Sequence, residues 1–306
     1  MTDDGSGSRS FVRRLLAHPA GRWSLATILL LVLVGIVGPH LMRYGPNDVL
    51  GMAELHNLPP SWQHPFGTDQ ISRDLLSRVV TGARISLGIS ALAVALSITV
   101  GTAYGLVSGY AGGWVDATMM RILDGFLSIP RVLFLIALWT LWTPASVWGV
   151  ALLVGATGWF GVSRLVRAEI LTLRQATFIE SARALGASPL RMMWRHLLPN
   201  VMTPVIVFAT LSVGNVILIE SGLSYLGAGT RPPTASWGAI FNGAMSAAPN
   251  AWWILLFPGL AIIITVLAFN VLGDALRDVL DPRHLHASQT PQIAQAATSA
   301  SLDKNG

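Results

Sequence analysis

Few residues of this chain have a type and spacing that could do chemistry. Asp124 and Glu220 are acids beside long apolar runs, and an acid inside a bilayer would point to a proton relay or ion coupling. Both fall near the ends of their runs, where pairing or capping at a helix end is the better reading. His56 with His64, and His284 with His286, could ligate a metal, yet no further His or acid follows at ligand spacing. They read as an exposed loop and a solvated tail. Asp274 and Asp278 flank Arg277 and read as a solvated helix face rather than a catalytic pair. Cysteine is absent, which removes thiolate zinc sites and a cysteine nucleophile. A phosphate-cradling nucleotide loop needs Gly-Lys followed by Ser or Thr. The single lysine, Lys304, stands between Asp303 and Asn305. The expectation is therefore no catalytic residue, metal site or cofactor. If the work needs ATP, another chain must bind it.

The stretch from Phe178 to Asn200 carries more pattern. Helix-forming residues run from about Arg174 to Leu185, and Gly186 stops them. Ser188 and Pro189 restart a helix as N-cap and first-turn proline. Pro199 is expected to close this second piece and aim the chain into the next apolar run. Ala182 and Ala184 keep part of the first helix small, so that a partner can approach. The same pattern also fits an amphipathic helix lying on a membrane, with Arg191 and Arg195 at the headgroups. Pattern alone leaves both open.

Composition says what must position such a loop. The 306 residues are 52% hydrophobic and 11% charged, with mean hydropathy +0.57, where a soluble domain carries roughly 25% charge. So few charges cannot cover a soluble surface, and the thinly spread arginines do not suit nucleic acid. The composition is that of an integral membrane protein. Charge-free runs occupy 23–42, 85–115, 132–163, 196–219 and 232–273, against about 20 apolar residues per span. They predict spans over 23–42, 85–110, about 125–143, 146–166, 201–219 and 251–272. Arg131 would snorkel from the third span to the interface, Pro258 would kink the sixth, and 232–250 reads as a loop. With both termini inside, 15 basic residues lie inside and 5 outside, as the positive-inside rule requires. The first run is longer than a signal-peptide core and lacks a small-x-small exit, so it reads as a retained anchor.

This divides the chain into a cytoplasmic tail (1–22), a first span (23–42), an extracytoplasmic loop (43–84), a five-helix core (85–285) with a cytoplasmic loop at 174–199, and a disordered tail (286–306). Within the second span Ala93, Ser97, Gly101, Gly105, Gly109 and Gly113 recur four apart. They predict close helix packing along one face, centred on Gly101, Gly105 and Gly109.

Glu180, Ser181, Ala182, Gly186, Leu198 and Pro199 resemble the EAA loop of ABC-importer permeases. Ser181 stands where alanine is usual and His196 where isoleucine is common. Further motifs occur in the same order as in the second permease of dipeptide and oligopeptide importers: His64 to Asp69 with Ser72 to Asp74, Gly109 to Trp114, Leu165 to Glu169, Ser224 to Gly227, Ser236 to Gly238, Ala268 to Asp274, and Asp281-Pro282. The resemblance spans about Ser61 to Arg283, and nickel and glutathione permeases share most of it. It implies an all-α, six-span type I importer permease in a bacterial inner membrane. Its partners would be a second permease chain, two ATPase subunits docked on the loop at 178–199, and an extracytoplasmic binding protein. The implied substrate is a short peptide, with nickel or glutathione as the alternatives. An ion-gradient transporter would need a midplane acid or an unwound site, and a membrane enzyme would need clustered acids or a Ser/His pair. The sequence shows neither clearly.

Overall fold

Residues 12–51, 55–143, 146–245, 247 and 249–280 are described by a computed structural model. Five helices are long and apolar enough to cross a bilayer: α1 (Pro19–Leu41), α2 (Leu75–Ala111), α5 (Val147–Leu173), α7 (Pro189–Tyr225) and α9 (Trp253–Leu280). Between α2 and α5 lie α3 (Gly113–Leu127) and α4 (Arg131–Leu141). The short helix α6 (Thr177–Ala184) precedes α7, and α8 (Trp237–Ala244) precedes α9. Trp23, Leu29, Leu33 and Ile36 on α1 and Ile263 and Leu267 on α9 are exposed, an outer surface suited to lipid tails and not to water.

The third span differs from expectation. Instead of one helix over 125–143, α3 and α4 meet at 83°. Pro130 has no N–H to continue the ladder and holds Ile129 out of the helical region. Six spans are reached only when this bent pair counts as one. Helix α2 starts ten residues before the expected position 85, with Asp74 accepting from the Ser77 amide (2.9 Å) as its cap. Arg84 bounds the charge-free run without ending the helix, and Arg78, also within α2, is buried with its guanidinium bonded to Pro46 O (3.0 Å) and 3.5 Å from Asp69.

Pro199 does not close a helix. α7 runs through it, wound as a π-helix over Met192–Leu197 and as an α-helix over Leu198–Tyr225. The wider turn makes room for the proline ring, and the Asn200 side-chain amide donates to His196 O (2.6 Å). The 232–250 segment is not all loop. Ser236 caps α8 by accepting from the Ala239 amide (3.1 Å), and buried Trp237 donates from Nε1 to Val79 O (2.9 Å). Helix α9 passes Pro258 without a break.

The closest helix pair is α2 with α5. A Cβ on Gly101 would lie 2.5 Å from Val162 Cβ, one on Gly105 would lie 2.5 Å from Ser163 O, and one on Gly109 would lie 2.8 Å from Ile170 Cβ. Only hydrogen at these positions lets the two backbones meet. Gly113 lies past the end of α2 with open space around it.

Candidate coupling loop and pathway

The loop opens where α5 ends. Arg174, expected to start the loop helix, instead closes α5, and its guanidinium donates to Gly109 O (3.0 Å). Helix α6 then begins at Thr177 and ends in a Schellman motif: Gly186 N–H donates to Arg183 O (3.0 Å) and Ala187 N–H to Ala182 O (3.1 Å). Gly186 has φ +79°, a region in which a Cβ is disfavoured. Ser188 caps α7 through the Arg191 amide (3.4 Å). The loop is fastened by one side chain of α6: Ile179 is fully buried in a cluster with Val166, Ile170, Met192 and Leu197.

The outer face of this loop is uncovered. Phe178, Leu185 and Leu190 are exposed, Leu185 at 89%. Glu180, Ser181, Gly186 and Pro199 are exposed, and Ala182 and Leu198 are half-buried. Behind the loop, Arg167 forms a two-pronged pair with Asp116 (2.5 and 2.6 Å), which also accepts from Ser108 Oγ (2.5 Å). Asp124 pairs with Arg164. Carboxylate–arginine pairs thus tie α3 to α5.

At the other end of the bundle Glu220 is buried at 1% exposure. Its Oε1 accepts from Ser224 Oγ (2.8 Å) and Ser236 Oγ (3.0 Å). Because Ser236 caps α8, this carboxyl fastens the end of α7 to α8.

His64 is not on an exposed loop. It is 5% exposed and its Nδ1 lies 2.9 Å from Asp74 Oδ1. Beside it Asp69 holds Arg73 (2.7 Å) and Arg78 (3.5 Å), all three buried. Sequence reading missed this network, although Asp69 and Arg73 stand four apart. His40 and His56 are exposed, and no three His, Asp or Glu side chains among the described residues converge on a metal-sized site. Residues 281–306, with His284, His286 and the expected tail, lie outside the described residues.

Two cavities adjoin on the α5–α7 side, with Phe208 in the wall of both. The first, about 230 Å³, sits between α2, α4, α5 and α7, with Ser97, Arg131, Thr157, Ser212 and Asn215 as its polar lining. The second, about 600 Å³, continues past Leu165 and Leu211 to Glu169, Asp274 and Arg277. Arg131 does not snorkel to an interface. Its Nε faces Thr157 Oγ1 (3.3 Å) and its Nη2 donates to Val154 O (3.0 Å).

Residues 101–286 match the model of the binding-protein-dependent transport system inner membrane component, and residues 7–60 match the N-terminal transmembrane domain of oligopeptide transport permease C. The chain is 38% identical to the dipeptide transport system permease protein DppC of Bacillus subtilis, over 89% of this chain and 84% of that one. It is 39% identical to the glutathione transport system permease protein GsiD of Pectobacterium atrosepticum, over 90% and 89%. Among solved structures, an inward-facing MetNI methionine ABC transporter aligns with TM-score 0.53 at 20% identity, over 66% of this chain and 96% of that one, which shows a shared fold. The first of the two family models covers the loop and the bent α3–α4 pair, and the chain belongs to the family of inner-membrane permeases of binding-protein-dependent ABC transport systems.

Proposed function

We propose that this chain is the non-catalytic permease subunit of an ATP-driven importer of short peptides. It forms half of the pathway with a second permease chain, receives substrate from an extracytoplasmic binding protein, and docks on one of two ATPase subunits through the loop at 178–199. The observation that carries the reading is the uncovered apolar edge of that loop. Phe178 on α6, Leu185 at its C-cap and Leu190 at the start of α7 are exposed, and α6 is itself locked to the bundle by Ile179. A push on such a helix reaches the bundle instead of being lost in a flexible tether. ATP-driven closure of the ATPase pair would then favour one state of the permeases, and differential binding between the states moves the substrate.

The peptide class is supported by relatives named for dipeptide and for glutathione transport, glutathione being itself a tripeptide. Nickel is less well served. His64 is committed to Asp74, which leaves exposed His40 and His56 without a clustered third ligand. The test is uptake of labelled di- to pentapeptides, glutathione and nickel by the importer reconstituted with its ATPase, binding-protein and second-permease partners. Peptide uptake is expected. Nickel uptake lost in His40→Ala or His56→Ala, with no peptide transport, would overturn the reading.

Docking is tested at Gly186. A Cβ there meets nothing within 4 Å, so the effect expected of a β-branched residue is backbone strain of about 1–3 kcal/mol that reshapes the turn. Gly186→Val should still insert, but should fail to bind the ATPase or should hydrolyse ATP without uptake. Normal uptake with normal stimulation of ATP hydrolysis would mean that the loop only lies on the membrane.

A further inference from the structure

The smaller cavity holds one feature that a passive wall does not need. Its lining comes from near the middle of three long helices: Ser97 on α2, Thr157 and Gly158 on α5, and Ser212 and Asn215 on α7. Arg131 therefore places a partly buried guanidinium at the level of the helix middles, where an ionisable side chain is costly and marks function by default. Its neighbours Arg164 and Arg167 each have a carboxylate partner. Arg131 has none among the described residues, and no acid lines the cavity. Its two hydrogen bonds engage Nε and Nη2, which leaves Nη1 to face a ligand. Gly158 lets its neighbours close in: an added Cβ would run into Ser97 Oγ and stand 3.2 Å from Arg131 Nη2. Around it are the Ser212 hydroxyl, whose proton is donated to Phe208 O (2.7 Å), and the Asn215 amide, which has no hydrogen bond among the described residues. Phe126, Phe134 and Phe160 form the apolar part of the wall.

From this geometry we infer that Arg131 is a carboxylate-binding residue in the pathway, which receives the C-terminal carboxylate of a peptide on its way through. The inference rests on the peptide reading above and goes beyond it by naming the contact. A planar guanidinium presents paired N–H groups that match the two oxygens of a carboxylate. A single fixed cation without a counter-ion attracts an anion and repels a metal cation. The volume, about 230 Å³, suits one end of a peptide and not a whole one. Every unmodified linear peptide carries that terminal group whatever its side chains, so a site reading it tolerates sequence variety. The adjoining cleft past Phe208 then offers a way out. A phosphate of an anionic lipid has related chemistry, and the experiment separates the two.

The complete importer is reconstituted in vesicles of phosphatidylcholine alone, or with phosphatidylglycerol added. Uptake of a dipeptide and of its C-terminal amide is measured at binding-protein saturation for each, and normalised to ATPase activity of the assembled complex. Losing one charge-assisted contact corresponds to about 10- to 100-fold. Wild type should prefer the free acid. Arg131→Gln should reduce uptake of the acid by about that factor and leave the amide unchanged. Arg131→Lys should keep part of the preference and shows that the position tolerates change. Equal losses for acid and amide in both variants would overturn the inference, leaving Arg131 as a packing residue. An effect of Arg131→Gln seen only with phosphatidylglycerol would overturn it in favour of a lipid phosphate. Peptide uptake that is normal in both variants would overturn it and leave the proposed function standing. A wild-type complex that moves neither peptide would overturn both.

Discussion

Asp69→Ala should be among the most damaging single changes in this chain, at roughly 3–5 kcal/mol. The carboxylate is 2% exposed and holds the buried guanidinium groups of Arg73 and Arg78. It also accepts from the backbone amides of Ile71 (3.0 Å) and Arg73 (2.9 Å). Removal leaves two positive charges facing each other in a dry pocket and two amides without an acceptor, and the penalty is that of the uncompensated charge more than of the lost bond. Protease accessibility of the 43–74 segment in right-side-out vesicles would report the damage, together with the thermal midpoint of the purified protein. Asp69→Asn keeps the shape and should rank between wild type and alanine. Pairing Asp69→Ala with Arg73→Met should recover part of the loss. A single variant with wild-type protease resistance would show that water reaches these arginines.

Gly105→Ala should disrupt the bundle itself. The new methyl would fall 2.5 Å from Ser163 O and 2.8 Å from Val166 Cβ. The first of these is backbone and cannot rotate away. The helices must separate, at about the 1–3 kcal/mol of an overpacked core, and Gly105→Leu should prevent recovery of monodisperse protein. Gly125→Ala is the control: it lies on a helix with nothing within 4 Å, and should be neutral or mildly stabilising. Size-exclusion profiles of the three variants after detergent extraction make the comparison. Equal profiles for Gly105→Ala and Gly125→Ala would mean that α2 and α5 do not meet as closely as described.

Much of this architecture was legible because a bilayer imposes a coarse rule on sequence. Runs without charge, about 20 residues long, mark α1, α2, α5, α7 and α9, and the glycine spacing in α2 reports how near its neighbour comes. Where the rule measured charge and not helicity, it misled. Arg84 bounds an apolar run without ending a helix, and the helix reaches back past Arg78, whose charge is met by Asp69 and by Pro46 O from the preceding segment. The break at Pro130 was written in the sequence, but the roughly 20 residues a span needs before Thr143 carried the expected helix across it. The loop at 177–191 was readable from Gly186, Ser188 and Pro189, because caps are local chemistry. Arg131 was not. Whether an arginine turns outward to an interface or inward to a cavity depends on acceptors on another helix, here Thr157 Oγ1 and Val154 O, and no local pattern encodes them.

The unbroken course of α7 has a mechanical consequence. At 1.5 Å per residue its 37 residues make a beam about 55 Å long. Its inner end is the loop helix junction, and near its outer end Glu220 is bolted to the Ser236 cap of α8. Two places along the beam are compliant, the π-wound turn over Met192–Leu197 and the missing backbone bond at Pro204. Both lie in its inner half. Bending therefore concentrates there, and the part beyond Pro204 swings as one stiff arm. A tilt of about 10° in such an arm, roughly 30 Å long, carries its far tip by about 5 Å, close to one turn of helix. A tilt that arises at these inner turns is carried to the opposite mouth by the stiff arm itself, with no relay of side chains in between.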